Sequence, residues 1–232
     1  MYKKAVILLS GGLDSSTVLA MVNKENYEIH GLSFNYCQNN VIEVEKIKKF
    51  VRDYNIHSHK IIDLDLSVFR ISSLVNQELD VPKYSNAKEV GSSIPNTYVP
   101  ARNTIFLSYA LGYAETVGAS NIFIGAHASD SANYPDCRPE YIKSFENMAN
   151  LATKQGIEGH KIKICAPLLR MSKSDIVKEG LALSVNYANT ISCYDPSAEG
   201  EACGGCLACN IRLEAFKDNA VSDPAEYINN LQ

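Results

Sequence analysis

Ser10-Gly11-Gly12-Leu13-Asp14-Ser15-Ser16 gathers two adjacent glycines, three hydroxyls and one carboxylate in seven residues. Two glycines let a backbone come close to an anion and adopt positive φ. Successive amides in such a turn make an anion-binding nest, and a helix beginning there adds the positive end of its dipole. A carboxylate in a phosphate site makes chemical sense when a divalent cation bridges the two, and Mg²⁺ suits that bridge. The string lacks the Gly-Lys-Ser/Thr ending of a Walker loop. Out of context it would read as a capped strand-to-helix turn, since Asp and Ser are favoured N-caps.

Four of the seven cysteines, Cys193, Cys203, Cys206 and Cys209, fall close together near the C-terminus. Four thiolates can enclose Zn²⁺ tetrahedrally, and with no open position the metal would be structural. The spacing also suits an iron–sulfur cluster, or a group of reduced thiols. Cys37 and Cys165 stand apart and read as small buried apolar residues.

Two further segments carry polar groups suited to a ligand. Val99-Pro100-Ala101-Arg102-Asn103 opens a helix with an Arg. That charge is poorly placed for the helix dipole, but it could grip a phosphate or carboxylate with two hydrogen bonds. Taken alone, Arg102 would read as a solvated surface residue. Tyr134-Pro135-Asp136-Cys137-Arg138-Pro139-Glu140 is a proline-stiffened loop presenting Asp, Cys and Arg. Cys137 has no neighbour in sequence to activate it as a nucleophile beyond Arg138.

These groups must be held by a frame, and the hydropathy pattern supplies one. Apolar runs at Ala5–Leu9, Ile29–Phe34, Lys60–Leu64, Asn121–Gly125 and Ile162–Ala166 read as buried strands. Between them lie helical patterns at Ser15–Asn23, Val44–Tyr54, Asn103–Val117 and Tyr141–Lys154. Ser172–Leu183 follows with Ser172 as N-cap and Asp175 at the third helical position. Residues Asp65–Pro100 are irregular, and Tyr84–Pro95 is a candidate lid. Alternating strands and helices predict an α/β fold, a Rossmann-like parallel sheet with helices on both faces; the cysteine group, ranked as zinc ahead of a cluster and of free thiols, adds a small C-terminal zinc knuckle. Residues 1–192 would form the α/β domain, and 193–232 the knuckle and a C-terminal helix packed on it.

Composition sets outer bounds. The chain has 232 residues, 46% hydrophobic and 21% charged, enough for a core without disulfide staples. A net charge of -4 argues against general affinity for nucleic acid. No apolar run has the length of a membrane span, and Gly11-Gly12-Leu13-Asp14 interrupts the first one before it could serve as a signal peptide. A cytoplasmic protein with no membrane partner is expected.

In its strand–loop–helix setting, Ser10–Ser15 resembles the Ser-Gly-Gly-x-Asp-Ser signature of the N-type ATP pyrophosphatases, which cleave ATP between its α and β phosphates. Their fold is of the adenine nucleotide alpha hydrolase type. The chain as a whole resembles the 7-cyano-7-deazaguanine synthase family of the queuosine precursor pathway. The matching elements are Ser10–Ser15, Val99–Ser108, Tyr134–Glu140, Pro167 with Lys173, and Ser192-Cys193-Tyr194 with the Cys203–Cys209 knuckle and Arg212. They occur in the family's order over nearly the full length.

The resemblance implies conversion of 7-carboxy-7-deazaguanine and ammonia to the nitrile through adenylated intermediates, with ATP, Mg²⁺, a structural Zn²⁺ and a homodimer. It implies that Leu9, Ser10, Gly11, Gly12, Leu13, Asp14, Ser15, Ser16, Thr17, Val18 and Leu19 form the ATP-binding run. Arg102, Asp130, Tyr134, Asp136, Cys137 and Arg138 would meet the substrate. Asp14, Arg102, Asp136, Arg138 and Lys173 would act in catalysis, and Cys193, Cys203, Cys206 and Cys209 would hold the metal. His127, at the end of the fourth strand, reads as a structural residue.

Three departures stand out. Gln38-Asn39-Asn40 replaces the family's usual Gln-Arg-His, Ala132-Asn133 replaces its Ser-Gly, and Ala101 stands where Gly is common. The first leaves open a paralogue that passes a related adenylate to another nucleophile. A tRNA-thiolating enzyme shares the loop and a knuckle, but the acidic charge weighs against it.

Overall fold

The computed structural model describes residues 3–36, 42–86, 89, 94–127 and 134–228, without the side chains of 42–45. Gln38-Asn39-Asn40, Cys37, Asp130, Ala132-Asn133 and much of the candidate lid lie outside the described residues.

Five parallel strands form one sheet: β1 (Lys4–Leu8), β2 (Glu28–Asn35), β3 (Ser58–Asp63), β4 (Asn121–Phe123) and β5 (Lys163–Cys165). Their order is β3-β2-β1-β4-β5. The helices are α1 (Leu13–Asn23), α2 (Ile42–Phe50), α3 (Arg102–Val117), α4 (Pro139–Ala152), α5 (Lys154–Ile157), α6 (Lys173–Ala182) and α7 (Leu207–Asp218).

Strand β1 is buried on both faces, and its alternation sorts the core in two. Ala5, Ile7 and Leu9 pack with Leu13, Val18 and Leu19 of α1, Ile47 and Phe50 of α2, Ile176 of α6 and Phe216 of α7. Val6 and Leu8 pack on the opposite face with Leu107, Ala110 and Ala114 of α3 and Phe145 of α4. The expected doubly covered parallel sheet is therefore present.

The order reverses between β1 and β4, so their carboxyl ends diverge and leave the crevice where ligands bind in such sheets. Strands β4 and β5 are three residues long, shorter than the pattern implied. After Ile124, whose amide still donates to the Cys165 carbonyl at 2.9 Å, the chain turns toward α1: a Cβ on Gly125 would lie 3.2 Å from the Ser15 amide nitrogen. The helix expected over Tyr141–Lys154 breaks at Thr153, which is extended and whose hydroxyl accepts from the Gly156 amide to start α5. Ser172 and Asp175 form the reciprocal capping box, with the Asp175 amide donating to the Ser172 hydroxyl at 3.1 Å and the Ser172 amide to the Asp175 carboxylate at 3.0 Å.

Gly180, in the last turn of α6, has a packing reason. The Tyr187 ring lies against it, with its hydroxyl 2.8 Å from Thr17 Oγ1 and donating to the Ile176 carbonyl at 3.3 Å. A Cβ on Gly180 would overlap that hydroxyl. Gly180→Ala should therefore lose about 1–3 kcal/mol by overpacking, although Ala is worth about 1 kcal/mol more in an open helix. Urea unfolding with an unchanged m value checks this; a more stable variant would refute the packing account.

Candidate active site

The turn after β1 is built by its own hydroxyls. Ser10 Oγ accepts the Gly12 amide at 3.2 Å and lies 3.1 Å from Ser15 Oγ. Ser15 Oγ accepts the Ser10 amide at 3.2 Å and donates to the Gly12 carbonyl at 3.3 Å. Gly11 adopts φ 82°, the left-handed conformation the glycine permits, and its carbonyl accepts from the Ile191 amide at 3.0 Å. Helix α1 then starts at Leu13 with no side-chain cap. Helix geometry leaves its first amides without intrahelical acceptors, so this end has donors to offer an anion.

Asp14, in the first turn of α1, meets Lys173 from the first turn of α6, 159 residues away. Lys173 Nζ donates to both Asp14 oxygens at 2.7 and 2.8 Å, and to His127 Nε2 at 2.8 Å. Burial pushes the Asp14 pKa up, but Lys173 and then His127 outweigh it and hold the carboxyl below its ordinary 3.8. Asp14 is thus ionised at neutral pH.

These groups form one end of a cavity of about 250 Å³. The other end is aromatic. Phe34 and Phe106 stack with centroids 4.2 Å apart, Tyr36 packs on Phe106 at 5.4 Å, and Tyr98 and Tyr134 sit at 6.1 Å. Arg102 reaches in from the start of α3, donating to the Tyr36 hydroxyl at 3.3 Å. The Tyr134 hydroxyl lies 3.1 Å from Thr97 Oγ1.

Asp136 lines the cavity and also caps α3 from another segment. Its carboxylate accepts the Asn103 amide at 2.8 Å, while Asn103 Nδ2 donates to the Asp136 carbonyl at 3.3 Å and to Cys137 Sγ at 3.1 Å. The helix needs this because Ala101, at its N-cap, has no side-chain bond to offer. Ala101 adopts φ 52°, which explains why glycine suits the position and costs roughly 1–2 kcal/mol for an L-residue.

The expected ligand residues divide in the structure. Leu9, Ser10, Gly12, Leu13, Asp14, Ser15, Arg102, Tyr134, Asp136, Cys137 and Lys173 line the cavity. Val18 and Leu19 are fully buried in the core, and Thr17 bonds Tyr187 on the far side of α1. Ser16 is fully buried too, and its hydroxyl has no hydrogen-bond partner among the described residues. Arg138 is exposed, outside the cavity lining. His127, read from sequence as a hydrogen-bonded structural residue, is buried against Lys173 and also lines the cavity. Tyr36, Thr97, Tyr98, Phe106 and Tyr194 also line it and were missed. A Tyr or Phe in an apolar pattern carries no local signal separating a cavity wall from core.

Near the cavity, the four expected cysteines converge. Their sulfur atoms all lie within 4.8 Å of one another, with Cys206 3.5 Å from Cys209 and 4.0 Å from Cys193. Tetrahedral Zn–S bonds place sulfurs about 3.8 Å apart, and a disulfide needs about 2.05 Å. The separations fit a metal and not a disulfide. Backbone amides of Asp195 and Cys203 donate to Cys193 Sγ at 3.3 and 3.2 Å, and that of Cys206 to Cys203 Sγ at 3.3 Å. Lys83, which bonds Asp195 at 2.6 Å and also Cys203, offsets thiolate charge. By contrast, burial pushes the Cys165 thiol up to about 11, as suits an unreactive residue.

Among the described residues no helix is long and apolar enough to cross a membrane. The family model described as "Queuosine biosynthesis protein QueC" matches residues 4–220. A protein of Rickettsia akari named 7-cyano-7-deazaguanine synthase is 59% identical over 226 residues, covering 97% of this chain and 100% of that relative. A Rickettsia rickettsii protein of the same name is 59% identical over 228 residues, covering 98% of this chain and all of its own. With a nucleotide-type crevice in place and likeness along nearly its whole length, the chain belongs to the family of queuosine biosynthesis protein QueC.

Proposed function

We propose that this enzyme converts 7-carboxy-7-deazaguanine and ammonia to 7-cyano-7-deazaguanine at the expense of ATP. One observation carries the reading: a single cavity joins the Ser10–Ser15 cradle and the Asp14–Lys173 pair to an aromatic wall with Arg102. The first end suits a triphosphate, and the second a flat heteroaromatic acid.

Making a nitrile from an acid removes two oxygens, neither of which leaves readily as hydroxide. The substrate carboxylate attacks the α-phosphorus of ATP, and pyrophosphate departs. Ammonia adds to the acyl carbon, and AMP leaves with the first oxygen to give the amide. A second adenylation, on the amide oxygen, lets AMP carry off the second oxygen as nitrogen loses its protons and C≡N forms. No covalent enzyme intermediate is required. The residues must align reactants, stabilise developing charge and keep water away. Lys173 and the first amides of α1 face the phosphates in this scheme. Arg102, Tyr134 and Asp136 face the acid, while Cys137, held by Asn103, shapes the wall. Asp130 and Arg138 remain proposed substrate contacts by resemblance. Mg²⁺, held by Asp14, would neutralise phosphate charge.

We assign the cysteine site to structural Zn²⁺, on sulfur separations that suit a closed tetrahedral site. It would staple Lys83 and Tyr84 to the knuckle, where the Tyr84 amide donates to the Gly205 carbonyl at 2.7 Å. One zinc per chain is expected by elemental analysis. Stripping it by chelation, or Cys206→Ser, should lower the melting temperature by several degrees, and iron in its place would overturn the assignment. A reducing, cytoplasmic location suits such thiolates. The homodimer is proposed from the family resemblance, and sedimentation tests it.

The functional test incubates purified protein with ATP, Mg²⁺, ammonium and 7-carboxy-7-deazaguanine, followed by mass spectrometry. The nitrile with AMP and pyrophosphate is expected. An adenylate or amide that goes no further would instead indicate another acceptor, and no adenylation by protein that binds ATP would overturn the substrate.

A further inference from the structure

At the opposite edge of the sheet from the cavity, two imidazoles and a carboxylate converge. Glu28 opens β2, and His30 is two residues on, so both project from one face. His57 directly precedes β3 and is held by its amide, which donates to the Ile29 carbonyl at 2.8 Å. His30 Nε2 lies 3.2 Å from Glu28 Oε1, and the His30 and His57 ring centroids are 4.9 Å apart. One ligand atom from each of the three residues lies within 4.8 Å of the others.

From these positions we propose that Glu28, His30 and His57 form a second metal site, binding one divalent cation of the Zn²⁺, Ni²⁺ or Cu²⁺ class. Two imidazoles and one carboxylate are the donor set those ions prefer, whereas Mg²⁺ and Ca²⁺ favour oxygen. Bonds of about 2.0–2.1 Å put neighbouring ligand atoms near 3 Å apart, close to the Glu28–His30 spacing. The partner behind the ligand is also in place. His30 Nδ1 lies 2.8 Å from Ser58 Oγ, which is 3.1 Å from the Tyr113 hydroxyl. When Nδ1–H donates to Ser58, the lone pair on Nε2 faces the carboxylate, an arrangement a cation completes. His57 is exposed, so water fills the remaining coordination positions. Lys4 competes, with Nζ 3.3 Å from Glu28 Oε1, but its side chain is 39% exposed and free to yield. The bound ion would pin the start of edge strand β3 to β2, far from the reaction.

The test is calorimetric titration of untagged, zinc-loaded protein with Ni²⁺. One further equivalent is expected per chain. His57→Ala and Glu28→Gln, both at accessible positions, should each weaken it at least tenfold, and Lys4→Ala should tighten it several-fold. A purely structural histidine cluster would show no such opposite effects. Absence of the extra equivalent, an affinity unchanged by His57→Ala, or its loss on Cys203→Ser alone would overturn the proposal.

Discussion

Lys173→Met is expected to slow AMP formation by on the order of 10²–10³-fold, the usual loss when a preorganised donor is removed from developing charge. Lys173 places one ammonium on both oxygens of Asp14 and on His127, at the mouth of the phosphate turn. Pyrophosphate leaving ATP gains negative charge where that ammonium sits in the proposed reaction. The methionine fills the same space without the charge. Asp14 then loses the strongest influence lowering its pKa, which moves upward. The fold should survive, because the Ser172–Asp175 capping box that starts α6 is untouched. Single-turnover release of pyrophosphate, read beside the melting temperature, separates the two effects. A variant with intact stability and a rate near wild type would remove Lys173 from the reaction.

Asp223→Ala is expected to destabilise the protein by about 3–5 kcal/mol, since it strands a buried guanidinium. For a chain of this size that is a fall in melting temperature of roughly 6–20 °C. The side chains of Arg212 and Asp223 are 4% and 2% exposed and pair through two bonds, Nε to Oδ2 at 2.7 Å and Nη2 to Oδ1 at 2.9 Å. Arg212 also donates to Thr190 Oγ1 and the Tyr187 carbonyl, and Asp223 accepts from the Tyr227 hydroxyl at 2.7 Å. The pair thus ties α7 to the segment below the cavity and to the chain after it. Replacing both partners with apolar residues should recover much of the loss, because no charge is left unpaired.

The same pair has a pH signature. Burial pushes the Asp223 pKa up, but Arg212, Tyr227 and the Ala225 amide outweigh it and leave the folded value below 3.8. The unfolded chain therefore binds the proton more readily in that window. The stabilisation is full above 3.8 and is lost as pH falls through the lowered folded value. Denaturant unfolding from about pH 5 down to about pH 2 should show this slope in the wild type and a shallower one in Asp223→Asn. Equal slopes would show that Asp223 does not report the pairing.

The order of strands and helices, the Ser10–Ser15 turn, the capping box of α6 and the cysteine grouping could all be read from the chain. Each rests on residues close in sequence: a buried strand's apolar run, a glycine pair, an N-cap three residues from its partner, and four thiols within seventeen residues. Tertiary structure decided the rest. Asp14 and Lys173 meet because the crossovers of a parallel sheet bring two helix starts to one edge, and no local pattern records a distance of 159 residues. Asp136 is the cap that α3 lacks in its own sequence, and Ala101 takes a conformation that favours glycine. Thr17, Val18 and Leu19 adjoin the phosphate turn in sequence yet belong to the core, because α1 rotates them away. Arg138 follows Cys137 directly and still faces solvent, since consecutive side chains diverge where α4 begins. The aromatic wall and the Arg212–Asp223 pair depend on packing between distant segments, where burial converts ordinary Tyr, Phe and Asp into a cavity wall and a structural lock.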